Sequence, residues 1–276
     1  MLLFPNTFEE LFNLLDQQPD ARIMAGGTDL LVALRHEPQD TWPIICLERI
    51  AELRRIEELP DGSVSIGAAV TFSSITGNRL LKARYPLLTQ AAATVGGPAI
   101  RNMASIGGNI VTASPAADSL PALYLLDARL ELRSATGSRI VTIDTFISGP
   151  RRTLLQPGEL ISRIILPPAQ QWNIQCFEKV GRRKSLAIAV ASLAAMLRLA
   201  DDGTVLEARF AWGSVGPTVL RCTGAEAVLI NKPLSEATLQ DAAALVQQAV
   251  QPIDDIRATA DYRRTVAGNL LFRLVA

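Results

Sequence analysis

Histidine and cysteine are scarce in this chain of 276 residues: one histidine, His36, and three cysteines. Cys46, Cys176 and Cys222 are odd in number, far apart and without Cys-x-x-Cys spacing. They supply neither a disulfide framework nor an evident metal or iron–sulfur site, and they read as small buried apolar residues. Charge of one sign is also lacking, since Lys+Arg and Asp+Glu both total 27. No excess positive field is available to hold a nucleic-acid backbone or an anionic bilayer. Long hydrophobic runs are absent: the longest weakly polar stretch, residues 186–197, is shorter than a bilayer span. Glu9 and Glu10 stand where a secretory signal would be basic and then apolar. A cytoplasmic protein with no membrane span is the expectation, with length enough for one large domain or roughly two to three compact ones.

What the sequence does have is two glycine pairs about eighty residues apart. The first is Ala25-Gly26-Gly27-Thr28-Asp29; the second is Ser105-Ile106-Gly107-Gly108-Asn109, followed by Thr112 and Asp118. A turn without side chains presents successive N–H groups in the concave arrangement that binds phosphate oxygens. Two such turns point to one bound pyrophosphate, although either pair alone commonly does no more than shape a turn. Neither is spaced Gly-x-Gly-x-x-Gly and no Walker lysine follows, which disfavours a Rossmann or P-loop site. Thr28, Ser105, Asn109 and Thr112 are short polar side chains suited to phosphate and ribose oxygens. Asp118 has two readings, a helix-terminal carboxylate or an acceptor for a ribose or adenine donor, and composition does not separate them.

The organisation along the chain is α+β. Thr7-x-x-Glu10 is a capping box ahead of Phe8, Leu11, Phe12, Leu14 and Leu15, which share one helical face. A short strand over 21–24, the first glycine turn and a helix over 29–35 follow. Strands are predicted at 44–47, 53–57 and 63–69, then helical segments between 72 and 95. Gly96-Gly97-Pro98 opens a glycine-rich loop that ends in a helix over 118–128, and strands at 129–134 and 139–143 pair across Thr136-Gly137. One more strand at 159–166 precedes Pro167-Pro168 and Gln170-Gln171, the best linker in the sequence. Beyond it come a meander over 173–180, 187–199 and 205–215 and helices at 235–250 and 259–275. The predicted units are 1–55, 56–168 and 172–276.

The runs Ala25-Gly26-Gly27-Thr28-Asp29-Leu30-Leu31, Arg101-Asn102-Met103-Ala104-Ser105-Ile106-Gly107-Gly108-Asn109-Ile110 and Ala113-Ser114-Pro115-Ala116-Ala117-Asp118-Ser119-Leu120-Pro121 closely resemble the FAD-binding subunit of the molybdenum hydroxylases, the xanthine dehydrogenase and carbon monoxide dehydrogenase type. Phe177-Glu178-Lys179-Val180-Gly181-Arg182-Arg183 is similar to the start of that family's C-terminal domain, and the resemblance spans the chain. It implies two N-terminal α+β subdomains of the PCMH-type FAD-binding fold, with an extended FAD between them. A C-terminal α+β domain of the CO dehydrogenase flavoprotein type, an antiparallel sheet with helices, would cover the flavin end. Gly26, Gly27, Thr28 and Asp29 would line the pyrophosphate from one side, with Ala25 and Leu30 beside them as cofactor-binding residues. Ser105, Gly107, Gly108, Asn109 and Thr112 would line it from the other, with Ile106 also a cofactor-binding residue. Asp118 matches the family's acid at a helix start, and Lys179 is placed near the isoalloxazine. Some members carry this lysine one position earlier, where this chain has Glu178.

The resemblance further implies noncovalent FAD, since His36 lies outside the motifs and reads as a helix-end residue. The flavin then carries the chemistry, and no catalytic side chain or metal is needed in this chain. Molybdopterin and 2Fe-2S clusters are expected only in a large and a small partner subunit, with NAD as the electron acceptor and xanthine dehydrogenase as the type. Alternatives are a carbon monoxide or aromatic-heterocycle dehydrogenase using a quinone or another carrier, a stand-alone FAD oxidase, and a flavin-free interaction subunit. The short C-terminal domain and the intact glycine turns argue against the last two. Arg182, Arg183 and Lys184 form a basic run that faces either a dinucleotide's phosphates, a partner or only solvent.

Overall fold

A computed structural model of the chain describes residues 1–35, 42–183 and 186–275. His36 and Lys184, discussed above, lie outside the described residues. Among those described, no helix is long and apolar enough to cross a membrane.

The N-terminal unit is a three-stranded parallel sheet with Ile44–Cys46 in the middle, flanked by Leu2–Leu3 and Arg22–Met24. Parallel neighbours need a crossover, and the helix Phe8–Gln17 lies between the two outer strands in sequence. Its start is nearly the expected box: Thr7 Oγ1 accepts from Glu10 N at 3.1 Å, but the Glu10 carboxylate reaches one residue further, to Asn6 N at 2.7 Å. Phe8 and Leu11 are buried one turn apart on the core face.

The strand predicted at 53–57 is displaced. Leu47–Arg49 and Ala51–Arg54 form 3-10 turns, and only Ile56–Glu58 pairs with the next strand. The reason is visible in the side chains: Leu47, Ile50 and Leu53 are buried at intervals of three, the period of a 3-10 turn rather than of a strand. The middle sheet is antiparallel, in the order Ile56–Glu58, Val64–Gly67, Leu160–Leu166, Arg129–Ser134 and Gly137–Thr142. Its central strand Leu160–Leu166 is buried at every position except Arg163, which is part-buried and ion-paired to Glu131 at 2.8 Å.

The C-terminal sheet is antiparallel too, with strands Ile174–Gly181, Ala189–Leu199, Val205–Gly213 and Leu220–Arg221. On Ala189–Leu199 successive side chains alternate faces. Ala191, Leu193, Ala195 and Leu197 pack in a core with the helices Glu236–Ala249 and Ala260–Asn269. Ala194 and Met196 join the core of the first two units. Small residues on the second face let the sheet sit close on the helices Pro86–Ala93 and Ser119–Leu125. Gln90 fastens the edge strand, donating to Gln175 O at 3.1 Å and accepting from Phe177 N at 3.0 Å.

Candidate functional site

A cleft of about 670 Å³ opens where the three units meet. One wall is the loop after strand Arg22–Met24 and the helix Leu30–Leu34; the other runs from Ser105 to Asp118; Leu186, Ala187 and Ile188 of the C-terminal unit close one end. A recess of about 460 Å³, lined by Thr94, Gly97, Arg101, Lys179 and Arg183, adjoins it through Gly96, Leu186 and Ala187.

The first glycine motif is a true loop. Gly27 has φ +69, a backbone conformation that a side chain disfavours. Gly26 is required for a different reason: a Cβ there would overlap the carbonyl oxygen of Met103 on the opposite wall. Among the described residues, the N–H groups of Gly26, Gly27, Thr28, Asp29 and Leu30 donate to no protein acceptor. Five consecutive unpartnered amides beside an open cleft are donors held for a ligand or for solvent.

The second motif is not the glycine-rich loop expected from the sequence. Gly97 caps a short helix Pro98–Met103, and Gly107 and Gly108 lie in the first turn of another, Ile106–Thr112. Ser105 is its N-cap, with Oγ accepting from Gly108 N at 3.1 Å. Ile106 N donates to Val70 O at 3.0 Å, Gly107 N to Ala68 O at 2.9 Å, and Asn109 N to Ser105 O at 3.0 Å. A Cβ at Gly107 would stand 2.6 Å from Ala68 Cβ, so this glycine lets the helix press on the end of the middle sheet. What the helix turns toward the cleft is side chain. Asn109 Oδ1 accepts from Ser119 Oγ at 2.6 Å, which leaves its Nδ2 as the donor. Thr112 Oγ1 donates to Asp29 Oδ2 at 3.2 Å and so links the two motifs.

Asp118 precedes the helix Ser119–Leu125 but makes no cap hydrogen bond, so the helix-cap reading falls away. Its carboxylate is buried; Oδ2 receives Lys179 Nζ at 2.5 Å, and Oδ1 has no hydrogen-bond partner among the described residues. Burial raises its pKa to about 6, opposed by the charge and hydrogen bond of Lys179. Lys179 also donates to Thr94 O at 3.0 Å, and therefore ties the C-terminal sheet to the middle unit. Its neighbour Glu178 turns to the other face and lies 3.8 Å from Arg273. Strand alternation thus puts the lysine, and not the glutamate, on the cleft side.

Of the residues singled out in the sequence, Ala25, Gly26, Gly27, Thr28, Asp29, Leu30, Ser105, Gly108, Asn109, Thr112 and Asp118 line the cleft. Lys179 lines the adjoining recess. Ile106 and Gly107 are buried behind the wall. Arg182 and Arg183 diverge, the first to Ile256 O at 3.0 Å and the second to Leu186 O at 2.6 Å. The pattern of motifs did not point to Ile100, Val111, Leu186 and Ile188, which line the cleft while largely exposed, or to Arg151. Apolar residues left open to solvent along a polar cleft suit a flat ring system. Among the described residues no group of His, Cys, Asp and Glu is arranged to hold a metal ion. The donor-rich loop, the buried Asp118 oxygen without a partner and the apolar end together fit a dinucleotide-sized cofactor.

Comparison with known proteins agrees. The family described as the FAD binding domain in molybdopterin dehydrogenase matches residues 2–169, and the CO dehydrogenase flavoprotein C-terminal domain matches residues 175–276. The chain is 36% identical over 258 residues to the xanthine dehydrogenase FAD-binding subunit of Escherichia coli O157:H7, covering 93% of this chain and 88% of that one. It is 34% identical over 272 residues to the carbon monoxide dehydrogenase medium chain of Hydrogenophaga pseudoflava, covering 98% and 93%. Among solved structures, quinoline 2-oxidoreductase from Pseudomonas putida 86 superposes with a TM-score of 0.93 at 28% identity, covering 99% of this chain and 94% of that one.

Proposed function

The chain belongs to the FAD-binding subunits of the molybdopterin dehydrogenases, and from that membership we propose that it is the flavin relay of a complex of xanthine dehydrogenase type. Its fold is two N-terminal PCMH-type FAD-binding subdomains with a C-terminal antiparallel-sheet domain of the CO dehydrogenase flavoprotein kind. In this proposal residues 1–55 and 56–168 are the two subdomains and 172–276 the third unit. The partners are a molybdopterin-binding large subunit and a 2Fe-2S small subunit, the acceptor is NAD, and the compartment is the cytoplasm.

The observation that carries the reading is the row of five amides without a protein acceptor among residues lining the cleft, with a buried Asp118 oxygen that has no hydrogen-bond partner on its other wall. Gly26, Gly27, Thr28, Asp29 and Leu30 would hold the pyrophosphate through main-chain N–H groups, with Ala25 setting the start of the loop. Asn109 and Thr112 would contribute side-chain donors; Ser105 and Gly108 shape that wall; Ile106 and Gly107 support it from behind. Asp118 would supply an acceptor to the cofactor through Oδ1, and Lys179 holds that carboxylate in place. FAD supplies the redox chemistry when bound. The protein's part is to bind it noncovalently, orient it and shield one end with Leu186 and Ile188.

A visible spectrum of the purified chain during anaerobic NADH addition tests this. A flavin band that bleaches supports the NAD-linked relay. A flavin band indifferent to NADH favours the second reading, a quinone or other carrier as acceptor, which the likeness to a carbon monoxide dehydrogenase medium chain keeps open. A chain that no added FAD stabilises refutes both.

A further inference from the structure

Strands Ile147–Gly149 and Arg152–Thr153 are joined by a turn of two residues, Pro150 and Arg151. Proline presets the first turn position. The second is left-handed, with φ 56 at Arg151, a place where glycine or asparagine is the residue of low cost. An arginine at such a position carries a backbone cost that glycine would not, as Leu186 does at the end of the cleft.

The turn is fixed to the cleft wall. Arg151 N donates to Ala113 O at 3.0 Å, and Ala113, itself left-handed at φ 46, ends the helix Ile106–Thr112. The residue before it is Thr112, whose hydroxyl binds Asp29 of the first glycine motif. Arg151 is therefore anchored one hydrogen bond away from the point where the two motifs meet. Among the described residues lining the cleft it is the one cation, set against Asp29 and Asp118. Asp118 has Lys179; the side chain of Arg151 is exposed and has no acceptor among the described residues.

These charges are not balanced for a dinucleotide. The five amides of the first loop offer dipoles but no net charge, and the Asp29 carboxylate beside them repels an anion. A cation offsets the repulsion of a pyrophosphate by these carboxylates, and a guanidinium matches phosphate oxygens with two parallel donors. We propose that Arg151 is the phosphate-binding cation of the cleft, neutralising the cofactor's pyrophosphate from a turn hydrogen-bonded to the cleft wall. The inference rests on the flavin reading above and adds a residue that neither glycine motif contains.

The test titrates FAD into the full apo chain, following flavin fluorescence, and compares the parent with Arg151→Gly and Arg151→Lys. Glycine removes the cation and also relieves the left-handed backbone, so the apo melting temperature should hold or rise. The FAD dissociation constant should increase about ten- to a hundredfold in Arg151→Gly, the range for a charged hydrogen bond, with lysine intermediate. The salt dependence of FAD binding should flatten in the glycine variant. Unchanged FAD affinity in Arg151→Gly overturns the inference, as does a loss of affinity that follows a lowered apo melting temperature. If the parent itself binds no FAD, the flavin reading fails instead, so the two failures are distinguishable.

Discussion

Around Gly26-Gly27 five amides in a row lack a protein acceptor among the described residues, whereas around Gly107-Gly108 the amides from Ile106 to Asn109 are all taken, by Val70, Ala68 and Ser105. The same dipeptide serves two purposes. In the first loop the left-handed Gly27 keeps the backbone out of any ladder and leaves its N–H groups for a ligand. In the second, glycine permits close packing, and the helix turns polar side chains to the cleft. The lesson is that a glycine pair reports the need for bare backbone without saying what approaches it. At Gly26 and Gly107 the approaching group is another part of the protein, the Met103 carbonyl and Ala68 respectively.

The sharpest way to break this comparison is Gly26→Ala. The added Cβ overlaps main chain, which cannot rotate away as a side chain would, so the loop must leave the opposite wall. A loss of about 3 kcal/mol or more in urea unfolding of the apo chain is expected, at the upper end for overpacking, with FAD binding lost as well. A variant of parental stability would mean that the two walls are not pressed together at this point.

The Asp118–Lys179 pair gives a second effect, read against pH. The folded chain holds the Asp118 proton more tightly than the unfolded chain does, because its pKa is raised from 3.8 to about 6. Its contribution to stability is present below about pH 4 and is lost as the pH rises through 6, up to about 3 kcal/mol by linkage. Melting temperatures of the apo chain from pH 4 to 7 should therefore differ between parent and Asp118→Asn, with the parent losing ground to the variant across that window. Parallel curves would show that the carboxylate is not held in this state. Other carboxylates act in the opposite sense, such as Asp255, whose pKa is lowered well below the usual range by hydrogen bonds to Arg257, Arg263 and Ala258 that outweigh its burial, so the difference between the two proteins is the quantity to read.

The smallest effect separates the two halves of the second pair. Gly107→Ala should cost about 1–3 kcal/mol in thermal or urea unfolding, since its Cβ meets Ala68 at 2.6 Å. Gly108→Ala meets only Ser105 Oγ, at 2.9 Å. There alanine's gain in a helix, about 0.5–1 kcal/mol, offsets the crowding and leaves stability within about 1 kcal/mol of the parent. FAD titration should show the reverse order at Gly108, whose Cβ would enter the cleft. Equal stability losses would erase the distinction between the packing glycine and the cleft glycine.

Much of the fold was legible because its signals are local. The Thr7 cap with Glu10, the apolar face from Phe8 and the strand pair on either side of Thr136-Gly137 depend on neighbours a few residues away, where periodicity, turns and capping operate. The strand predicted at 53–57 is displaced for an equally physical reason: Leu47, Ile50 and Leu53 follow the three-residue period of 3-10 turns, which over so short a stretch resembles an extended apolar run. The glycine-rich loop failed because seven residues, two of them glycine, carry almost no intrinsic helix preference. Capping by Ser105 and the carbonyls of Val70 and Ala68 decide that segment, and those carbonyls lie more than thirty residues earlier.

The sequence by itself determined the two glycine motifs and, through family resemblance, the cofactor class and eleven of the residues that line the cleft. Only the tertiary structure decided which amides are left without an acceptor, that Asp118 pairs with Lys179 rather than capping its helix, and that Arg151 stands at the cleft wall. Each of these depends on which groups from distant segments meet. A hydrogen-bond acceptor or a buried ion partner is defined by distance in space, and local pattern carries no record of it.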